Sequence, residues 1–228
     1  MDNTVALIVG AGTGLSASLA RLLAGEGFRV ALAARNAEKL EPLAKAGALT
    51  LKCDASSEKD VEAAFAAVEA KWAAPQLVVY NASWRTRGPI ETLIPADVRR
   101  ALEISAYGGF LVAQAAAKRM LRAGSGAIFF TGASASVKGY AQSAPFAMGK
   151  FALRGLAQSL ARELAPKNIH VAHFVIDGGI RSESRAGPAG EDALLDPDEI
   201  AKSYLALYRQ QRSAWTWELE LRPWVEKF

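Results

Sequence analysis

The chain has 228 residues, of which 51% are hydrophobic and 22% are charged, and its formal net charge at pH 7 is +4. This composition excludes an intrinsically disordered chain and predicts one folded domain over residues 1–228 with a substantial core. No apolar run reaches the length of about 18 residues that a membrane-spanning helix requires. The 27 basic and 23 acidic residues are interleaved, which argues against a nucleic-acid surface. We therefore expect neither a membrane nor a nucleic-acid partner.

The cysteine and histidine content bears on location and on metal binding. A single cysteine, Cys53, excludes an internal disulfide framework and fits a reducing compartment. Asp2 is followed at once by a strand-like run, which argues against a secretory signal, so we expect a cytoplasmic protein. His170 and His173 are three residues apart on one predicted strand and point to opposite faces. They cannot chelate one ion together, and the sequence predicts no metal site.

Short apolar runs alternate with longer segments of helical periodicity along the whole chain. The predicted strands cover residues 5–9, 28–34, 49–52, 76–80, 127–131, 170–176 and 216–222. Near-continuous apolar strands that alternate with helices are typical of a parallel sheet covered on both faces. The sequence therefore predicts a doubly wound α/β fold.

Two proline positions predict helix boundaries in the second half of the chain. Asp196 followed by Pro197 is typical of a helix N-terminus, with aspartate as the N-cap and proline at the first helical position. Pro166 disfavours helical geometry before it, so the preceding helix should end near Ala165. Glycines and a proline within about 181–195 predict a loop, which we expect to shape the substrate site.

A glycine-rich turn follows the first predicted strand and opens a helix. Glycines at such a turn allow backbone N–H groups to approach a pyrophosphate at the helix N-terminus. The alternative is a tight turn that needs glycine for its backbone angles alone. The position after the first strand of a long α/β alternation favours nucleotide binding. The residues concerned are Gly10, Gly12, Thr13, Gly14 and Leu15.

Four further motifs follow at characteristic spacings, and with the glycine loop the chain resembles the short-chain dehydrogenase/reductase family over nearly its whole length. The resemblance implies a Rossmann fold with a seven-stranded parallel sheet and helices on both faces. It also implies a nicotinamide dinucleotide at the carboxyl edge of the strands, and hydride transfer between the nicotinamide and a carbonyl or alcohol. The further motifs are Cys53-Asp54, Tyr80-Asn81-Ala82-Ser83, Phe146-Ala147-Met148-Gly149-Lys150 and Asp177-Gly178-Gly179-Ile180.

The resemblance assigns several of these residues to cofactor binding. It places Asp54 and Ala55 at the adenine and places Asn81 and Ala82 behind a ribose. The alternative for Asp54 is an N-cap or turn residue before the third helix, and both can hold. Ile180 belongs to the motif after the sixth strand and is expected at the cofactor. Within the motifs at the first and fourth strands, the chain departs from the family pattern at Val9, Ser16, Tyr80 and Ser83.

The end of the second strand bears on which dinucleotide binds. NAD-preferring domains place an acid there, where it accepts hydrogen bonds from the ribose hydroxyls. Here the strand ends with Arg35, whose guanidinium matches a 2′-phosphate. The alternative is an ordinary solvated arginine. We therefore expect NADP(H) to be preferred, with NAD(H) possible.

The largest departures from the family lie at its catalytic positions. The family uses a tyrosine as acid or base, a lysine four residues later that holds the nicotinamide ribose, a serine and an asparagine. The resemblance therefore assigns Lys150 to cofactor binding as well as to catalysis. Lys150 is in place, but Phe146 occupies the tyrosine position. Without gaps, the serine position falls on Ala133, with Ser134 as the nearest hydroxyl, and the asparagine position falls on Ser105. The candidate catalytic residues are thus Lys150, Ser134, Ser105 and Phe146.

Two functions remain open. The first is an NADP(H)-binding oxidoreductase with a divergent site that acts on an unknown carbonyl-type substrate. It would use a substitute hydroxyl or a substrate that needs little help from an enzymic acid. The alternative is a catalytically silent nucleotide-binding sensor or partner subunit.

Arg85 and Arg87 lie near the expected pocket. They belong either to a solvated loop or to a binding site for an acidic substrate group. The resemblance also implies a homodimer or homotetramer formed through helices at about 96–122 and 143–165.

Overall fold

The computed structural model describes residues 4–182 and 191–226, and within them seven parallel strands form one sheet. The order across the sheet is β3-β2-β1-β4-β5-β6-β7. Every strand expected from the sequence is present, with its ends within two residues of the expected ones. The strands are β1 (Val5–Val9), β2 (Arg29–Ala34), β3 (Leu49–Lys52), β4 (Leu77–Tyr80), β5 (Gly126–Thr131), β6 (Ile169–Ile176) and β7 (Glu218–Leu221).

Helices connect successive strands and cover both faces of the sheet. Asp196 begins the last helix as predicted, because its side chain accepts a 2.8 Å hydrogen bond from the backbone N–H of Asp198. The longest helix ends at Leu164, two residues before Pro166, as its sequence indicates. The helices are α1 (Leu15–Gly25), α2 (Glu41–Lys45), α3 (Glu58–Lys71), α4 (Pro95–Leu102), α5 (Gly108–Ala123), α6 (Ala144–Leu164) and α7 (Pro197–Tyr208).

The core forms two layers because successive residues of each strand point to opposite faces of the sheet. In β5, Phe130 packs into the layer under α3, α5 and α6, whereas Phe129 packs into the layer under α1 and α7. The ring of Tyr204 on α7 stacks on Phe174 with a centroid distance of 3.6 Å. Because both faces of the sheet are buried, its strands are apolar along their whole length.

The strand order creates a crevice at the carboxyl end of β1. The chain leaves β1 for β2 on one side, and β4 pairs with β1 on the other. Ligands of open parallel sheets bind at such a switch point. Gly10, directly after β1, has a φ of +83°, and a Cβ there would lie 2.2 Å from the backbone nitrogen of Ala82. Only glycine allows the two segments to approach this closely.

Two further expectations concern the membrane and the substrate loop. Within residues 4–182 and 191–226, no helix has the length and apolar character needed to cross a bilayer. Of the expected loop at about 181–195, residues 183–190 lie outside the described residues. On either side of this gap, Ile180 and Leu195 form a parallel β-bridge that holds the two described parts of the chain together.

Candidate active site

A cavity of about 590 Å³ opens in the crevice at the switch point. It brings together eight residues that the sequence assigns to the cofactor, namely Gly10, Gly12, Thr13, Arg35, Asp54, Ala55, Asn81 and Ala82. Gly14 lines a neighbouring cavity with Thr13 and Arg181. Leu15 is buried in the first turn of α1 and contributes to the core. Most of the predicted cofactor residues before β5 thus converge on one cavity, whereas Gly14 lines the neighbouring one and Leu15 lies in the core.

The glycine loop is fixed by hydrogen bonds to its neighbours. The amides of Gly10 and Ala11 both donate to the carbonyl of Ala33, at 2.9 and 3.0 Å. Ser16 stands where the family has a third glycine, and its Oγ accepts a 2.7 Å hydrogen bond from Asn81. The serine therefore ties the start of α1 to the end of β4. No side chain among the described residues caps α1, and the N-terminus of an uncapped helix suits an anion.

Asp54 forms the turn before α3. Its Oδ1 accepts hydrogen bonds from the backbone N–H of Ser56 at 3.0 Å and from the Ser56 hydroxyl at 2.7 Å. The N-cap of α3 is Ser57, so the expectation of an N-cap role for Asp54 is wrong while the turn role is confirmed. Although burial opposes it, these bonds and the charges of Arg35 and Arg100 lower the pKa of Asp54. The carboxylate faces the cavity in its charged form.

Sequence analysis missed one basic and one aromatic residue at this cavity. Lys39 lines it together with Arg35, and the spacing of four residues was a readable signal for this. Trp84 lies next to the cavity, and its ring is contacted by Arg100 at 4.2 Å and by Arg35 at 5.3 Å. These contacts orient Arg35 through cation–π attraction. A tryptophan after β4 gave no sign of this in the sequence, because its partners come from distant segments.

A second cavity of about 590 Å³ lies at the carboxyl ends of β5 and β6. Of the predicted site residues, it is lined by Ser134, Phe146 and Ile180. Ala133, at the serine position of the family, also lines it. Phe146 is 9% exposed and forms part of the wall. Lys150 and Ser105 are buried behind the wall rather than lining it.

Lys150 is held as a buried cation one helical turn after Phe146. Its Nζ donates a 2.8 Å hydrogen bond to the carbonyl of Thr131, the last residue of β5. The same atom lies 5.9 Å from the centre of the Phe146 ring. The side chain is 3% exposed, and burial lowers the pKa of Lys150 to about 8. It is therefore close to titrating at physiological pH.

Ser105 lies in a π-helical turn, Glu103–Tyr107, that joins α4 to α5. Such turns are frequent at functional sites. The serine is fully buried, and its Oγ accepts a 3.3 Å hydrogen bond from the backbone N–H of Trp84. The structure therefore places Ser105 as an anchor for the segment after β4. Neither Ser105 nor Lys150 lines the second cavity, where Ser134 and Phe146 lie.

The hydroxyl groups near the second cavity differ in their availability. Ser136 is fully buried and accepts a hydrogen bond from the backbone N–H of Ala133 at 3.1 Å. Ser134 lines the cavity, but its hydroxyl hydrogen-bonds to Asp177. Asp177 is a carboxylate paired with Lys138 at 2.7 Å, so it accepts this hydrogen bond and the Ser134 hydroxyl is the donor. Tyr140 and Ser143 also line the cavity.

Phe146 carries a second cationic contact. The guanidinium carbon of Arg85 lies 4.8 Å from the centre of the Phe146 ring. Arg85 and Arg87 both line the second cavity. The position that holds a phenol in the family therefore holds an apolar ring with an arginine over it.

The cysteine and the two histidines are buried and held by contacts within the fold. Cys53 is buried, and desolvation raises the pKa of its thiol to about 12, so it stays protonated. His173 is buried against Glu218 at 3.0 Å, and burial lowers its pKa to about 4. His170 stacks on Trp215 at 4.7 Å. Among the described residues, no group of histidine, cysteine or acidic side chains is arranged to hold a metal ion.

Comparisons with known proteins agree with this geometry. The family model described as short chain dehydrogenase matches residues 4–187. D-threitol dehydrogenase of Mycolicibacterium smegmatis is 32% identical over 225 residues, which cover 91% of this chain and 86% of that protein. Carbonyl reductase family member 4 of Danio rerio is 30% identical over 215 residues, with coverages of 89% and 90%. The chain belongs to the short-chain dehydrogenase family, a family of oxidoreductases.

Solved structures show the same fold. A short-chain dehydrogenase from Rhodopseudomonas palustris is 38% identical and superimposes with a TM-score of 0.84, covering 98% of this chain and all of that one. A metagenomic short-chain oxidoreductase in complex with NADP is 28% identical, with a TM-score of 0.83 and coverages of 96% and 97%. The predicted seven-stranded Rossmann fold is confirmed.

Proposed function

We propose that this protein is an NADP(H)-dependent oxidoreductase that reduces a carbonyl-type substrate with a divergent active site. The observation that carries the proposal is the buried Lys150 ammonium, which donates a hydrogen bond to the carbonyl of Thr131, a residue that lines the second cavity. A buried lysine without an acidic partner costs stability, and it persists where a site needs its charge.

The residues of the first cavity fit a nicotinamide dinucleotide. The uncapped start of α1 suits the pyrophosphate, and Asp54 and Ala55 suit the adenosine end. Arg35 and Lys39 together suit a 2′-phosphate, and the cavity presents no acid at the end of β2 that would repel it. The related oxidoreductase with bound NADP supports this assignment. When bound, the nicotinamide supplies the hydride.

The residues of the second cavity must then deliver a proton to the product oxygen. Phe146 has none to give, and the proton of Ser134 is directed to Asp177. The remaining hydroxyl donors that line the cavity are Tyr140 and Ser143, and Lys150 is buried behind its wall. A lysine with a pKa near 8 is matched to proton transfer at neutral pH. We propose that this step uses Lys150 together with one of these hydroxyls, since Lys150 does not itself line the cavity.

One observation favours the alternative of a catalytically silent sensor or partner subunit. Both family positions that contact the substrate oxygen are apolar here, because Phe146 and Ala133 replace a phenol and a hydroxyl. In either function we propose one domain over 1–228, a homodimer or homotetramer, and a cytoplasmic location.

The two functions are separated by a pair of measurements on the same sample. Calorimetric titration with NADPH tests the binding that both require. Consumption of NADPH in the presence of carbonyl compounds then tests catalysis. The enzyme proposal expects turnover that Lys150→Met abolishes and that Lys118→Met, on the exposed face of α5, leaves unchanged. Binding without turnover of any compound supports the sensor, and absence of binding refutes both.

A further inference from the structure

We infer that the hydroxyl of Ser143 binds the reacting oxygen of the substrate in the second cavity. The inference rests on the proposed function, because it takes a carbonyl-type substrate to occupy this cavity. Ser143 directly precedes α6 and lines the cavity together with Phe146. Its Oγ donates a hydrogen bond to the carbonyl oxygen and stabilises the negative charge that this oxygen gains during reduction.

Ser143 is an exception among the buried hydroxyl groups of the protein. Its side chain is 3% exposed, yet its Oγ has no hydrogen-bond partner within residues 4–182 and 191–226. A buried polar group without a partner is unfavourable and calls for an explanation. Because Ser143 lines the cavity, a bound substrate can supply the partner. The other buried hydroxyls of the described chain all have partners, and they belong to Ser16, Ser18, Tyr80, Ser105, Thr131, Ser136 and Tyr204.

Ser143 occupies the N-cap position of α6 without capping the helix. A serine at this position ordinarily accepts a hydrogen bond from an N–H group of the first turn. Ser57 does so at the start of α3, where its Oγ accepts a 3.3 Å hydrogen bond from the backbone N–H of Asp60. The Ser143 side chain makes no such bond. Its hydroxyl therefore remains available to a ligand in the cavity.

The backbone around Ser143 is fixed on both sides. Gln142 has a φ of +57°, a left-handed conformation that is uncommon for residues other than glycine. Its carbonyl accepts a 3.0 Å hydrogen bond from the N–H of Gly88. On the other side, the carbonyl of Ser143 accepts a 3.0 Å hydrogen bond from the N–H of Ala147. Strained backbone of this kind is often found at functional sites, and here it holds the serine in place.

Ser143 also lies next to the position where the family holds its phenol. Phe146 follows three residues later, so both side chains lie on the same face of the helix. Both line the second cavity with Ala133, whereas Pro145 and Met148 line a separate groove on another face of α6. The Ser143 hydroxyl is therefore presented to the cavity that both altered family positions line.

Two other hydroxyls line the cavity and are less suited to this role. Ser134 already donates its proton to Asp177. Tyr140 is 52% exposed, so water competes for its hydroxyl. Ser143 is the hydroxyl of this wall that is both buried and without a partner in the described part of the chain.

Equilibrium binding tests the hydrogen bond without turnover. Cyclohexanone, acetophenone and 2-butanone are titrated calorimetrically into protein saturated with NADP⁺, which has no hydride to transfer. We expect at least one ketone to bind, and Ser143→Ala should weaken its binding about threefold to tenfold, the range for one hydrogen bond. Ser143→Thr keeps the hydroxyl and should retain most of the affinity. Tyr140→Phe should have a smaller effect, and Ser213→Ala, at an exposed position outside the cavities, should have none.

The melting temperature without ligand tests whether the Ser143 hydroxyl lacks a partner in the fold. Ser143→Ala removes no hydrogen bond of the folded protein, so the melting temperature should stay the same. Ser57→Ala removes a formed helix cap and should lower the melting temperature by a few degrees. An equal loss in both variants would show that Ser143 caps α6, and the inference would be overturned.

NADPH consumption separates the inference from the proposed function. In a protein that reduces a ketone of this panel, Ser143→Ala should lower kcat by about a hundredfold, as the loss of one oxyanion donor does. Consumption that Ser143→Ala leaves unchanged overturns the inference and supports the proposed function. Ketone binding that depends on Ser143 but leads to no consumption supports the inferred contact and refutes the proposed reduction. The inference is also overturned when no ketone binds, or when Ser143→Ala binds it as tightly as the unmutated protein.

Discussion

The Nζ of Lys150 donates a hydrogen bond of 2.8 Å to the main-chain carbonyl of Thr131. This contact holds an ammonium group at the end of β5 within a buried environment that contains no acidic partner for it in the described structure. The bond satisfies one of its three N–H donors. Lys150 is therefore a buried cation, and keeping it charged lowers the stability of the folded protein.

The free energy of unfolding should therefore depend on pH. Burial lowers the pKa of Lys150 from an ordinary value near 10.5 to about 8. Below pH 8 the group is charged in both states, and its burial costs about 3 kcal/mol. Between about pH 8 and 10.5 the folded state releases its proton first, so the cost falls as pH rises. Lys150→Met should raise the melting temperature at pH 7 by a few degrees.

The same variant compared across pH provides the control. The difference in melting temperature between Lys150→Met and the unmutated protein should shrink from pH 7 to pH 10, measured without cofactor. Lys118→Met on the exposed face of α5 should show no such trend. A stabilisation that does not change with pH would mean that Lys150 is not buried as a cation.

Cofactor preference should depend on Arg35. We expect the unmutated protein to bind NADPH at least roughly fivefold more tightly than NADH, because the guanidinium pairs with the 2′-phosphate. Arg35→Ala should bring the two affinities close together by weakening NADPH alone. Calorimetric titration measures both. Equal affinities for the two cofactors in the unmutated protein would contradict the prediction.

Trp84 offers a finer test of the same site. Its ring contacts Arg35 at 5.3 Å and Arg100 at 4.2 Å. Trp84→Ala removes the surface that orients Arg35, so it should reduce NADPH affinity by less than Arg35→Ala does. Combining the two changes should add little beyond Arg35→Ala, since both act on one contact. NADH affinity serves as the internal control and should stay constant.

The fold was predictable because its signal is local and repeated. Each buried parallel strand, such as 5–9, is apolar along its whole length, and the prolines at 166 and 197 mark helix boundaries directly. The glycine loop and Lys150 were also predictable, because their spacing is dictated by a turn and a helix face. The contacts of Trp84, Arg85 and Ser105 were not, because each joins segments that only the folded sheet brings together.

Assembly should be measurable without any ligand. Large apolar side chains are exposed on α5 and α6, including Phe110, Leu121, Met148 and Phe151. Exposed apolar surface on two neighbouring helices suits a partner subunit. We expect light scattering to report two or four times the 24.2 kDa chain mass at micromolar concentration. Phe151→Glu should shift the assembly toward the monomer, and a monomeric unmutated protein would contradict the prediction.

The chemistry of the site should respond to restoring the family's phenol. With Phe146 and Ala133 at the two positions that contact the substrate oxygen, oxidation of secondary alcohols should be very slow, because Phe146 cannot accept the hydroxyl proton as the family's tyrosine does. Phe146→Tyr places a phenol four residues before Lys150, and the nearby cations should lower its pKa. A positioned general acid typically contributes about a hundredfold or more to the rate. We expect carbonyl reduction to increase by a factor of that order.

A second substitution and a matched control sharpen this experiment. Ala133→Ser in the same protein adds a hydrogen-bond donor on the cavity wall, and the two changes should reinforce each other because they share one substrate oxygen. Phe151→Tyr adds the same hydroxyl to an exposed position of α6 and should leave the rate unchanged. The opposite outcome is efficient alcohol oxidation by the unmutated protein that survives removal of both Ser134 and Tyr140. That outcome would show that another acid–base group operates at the site.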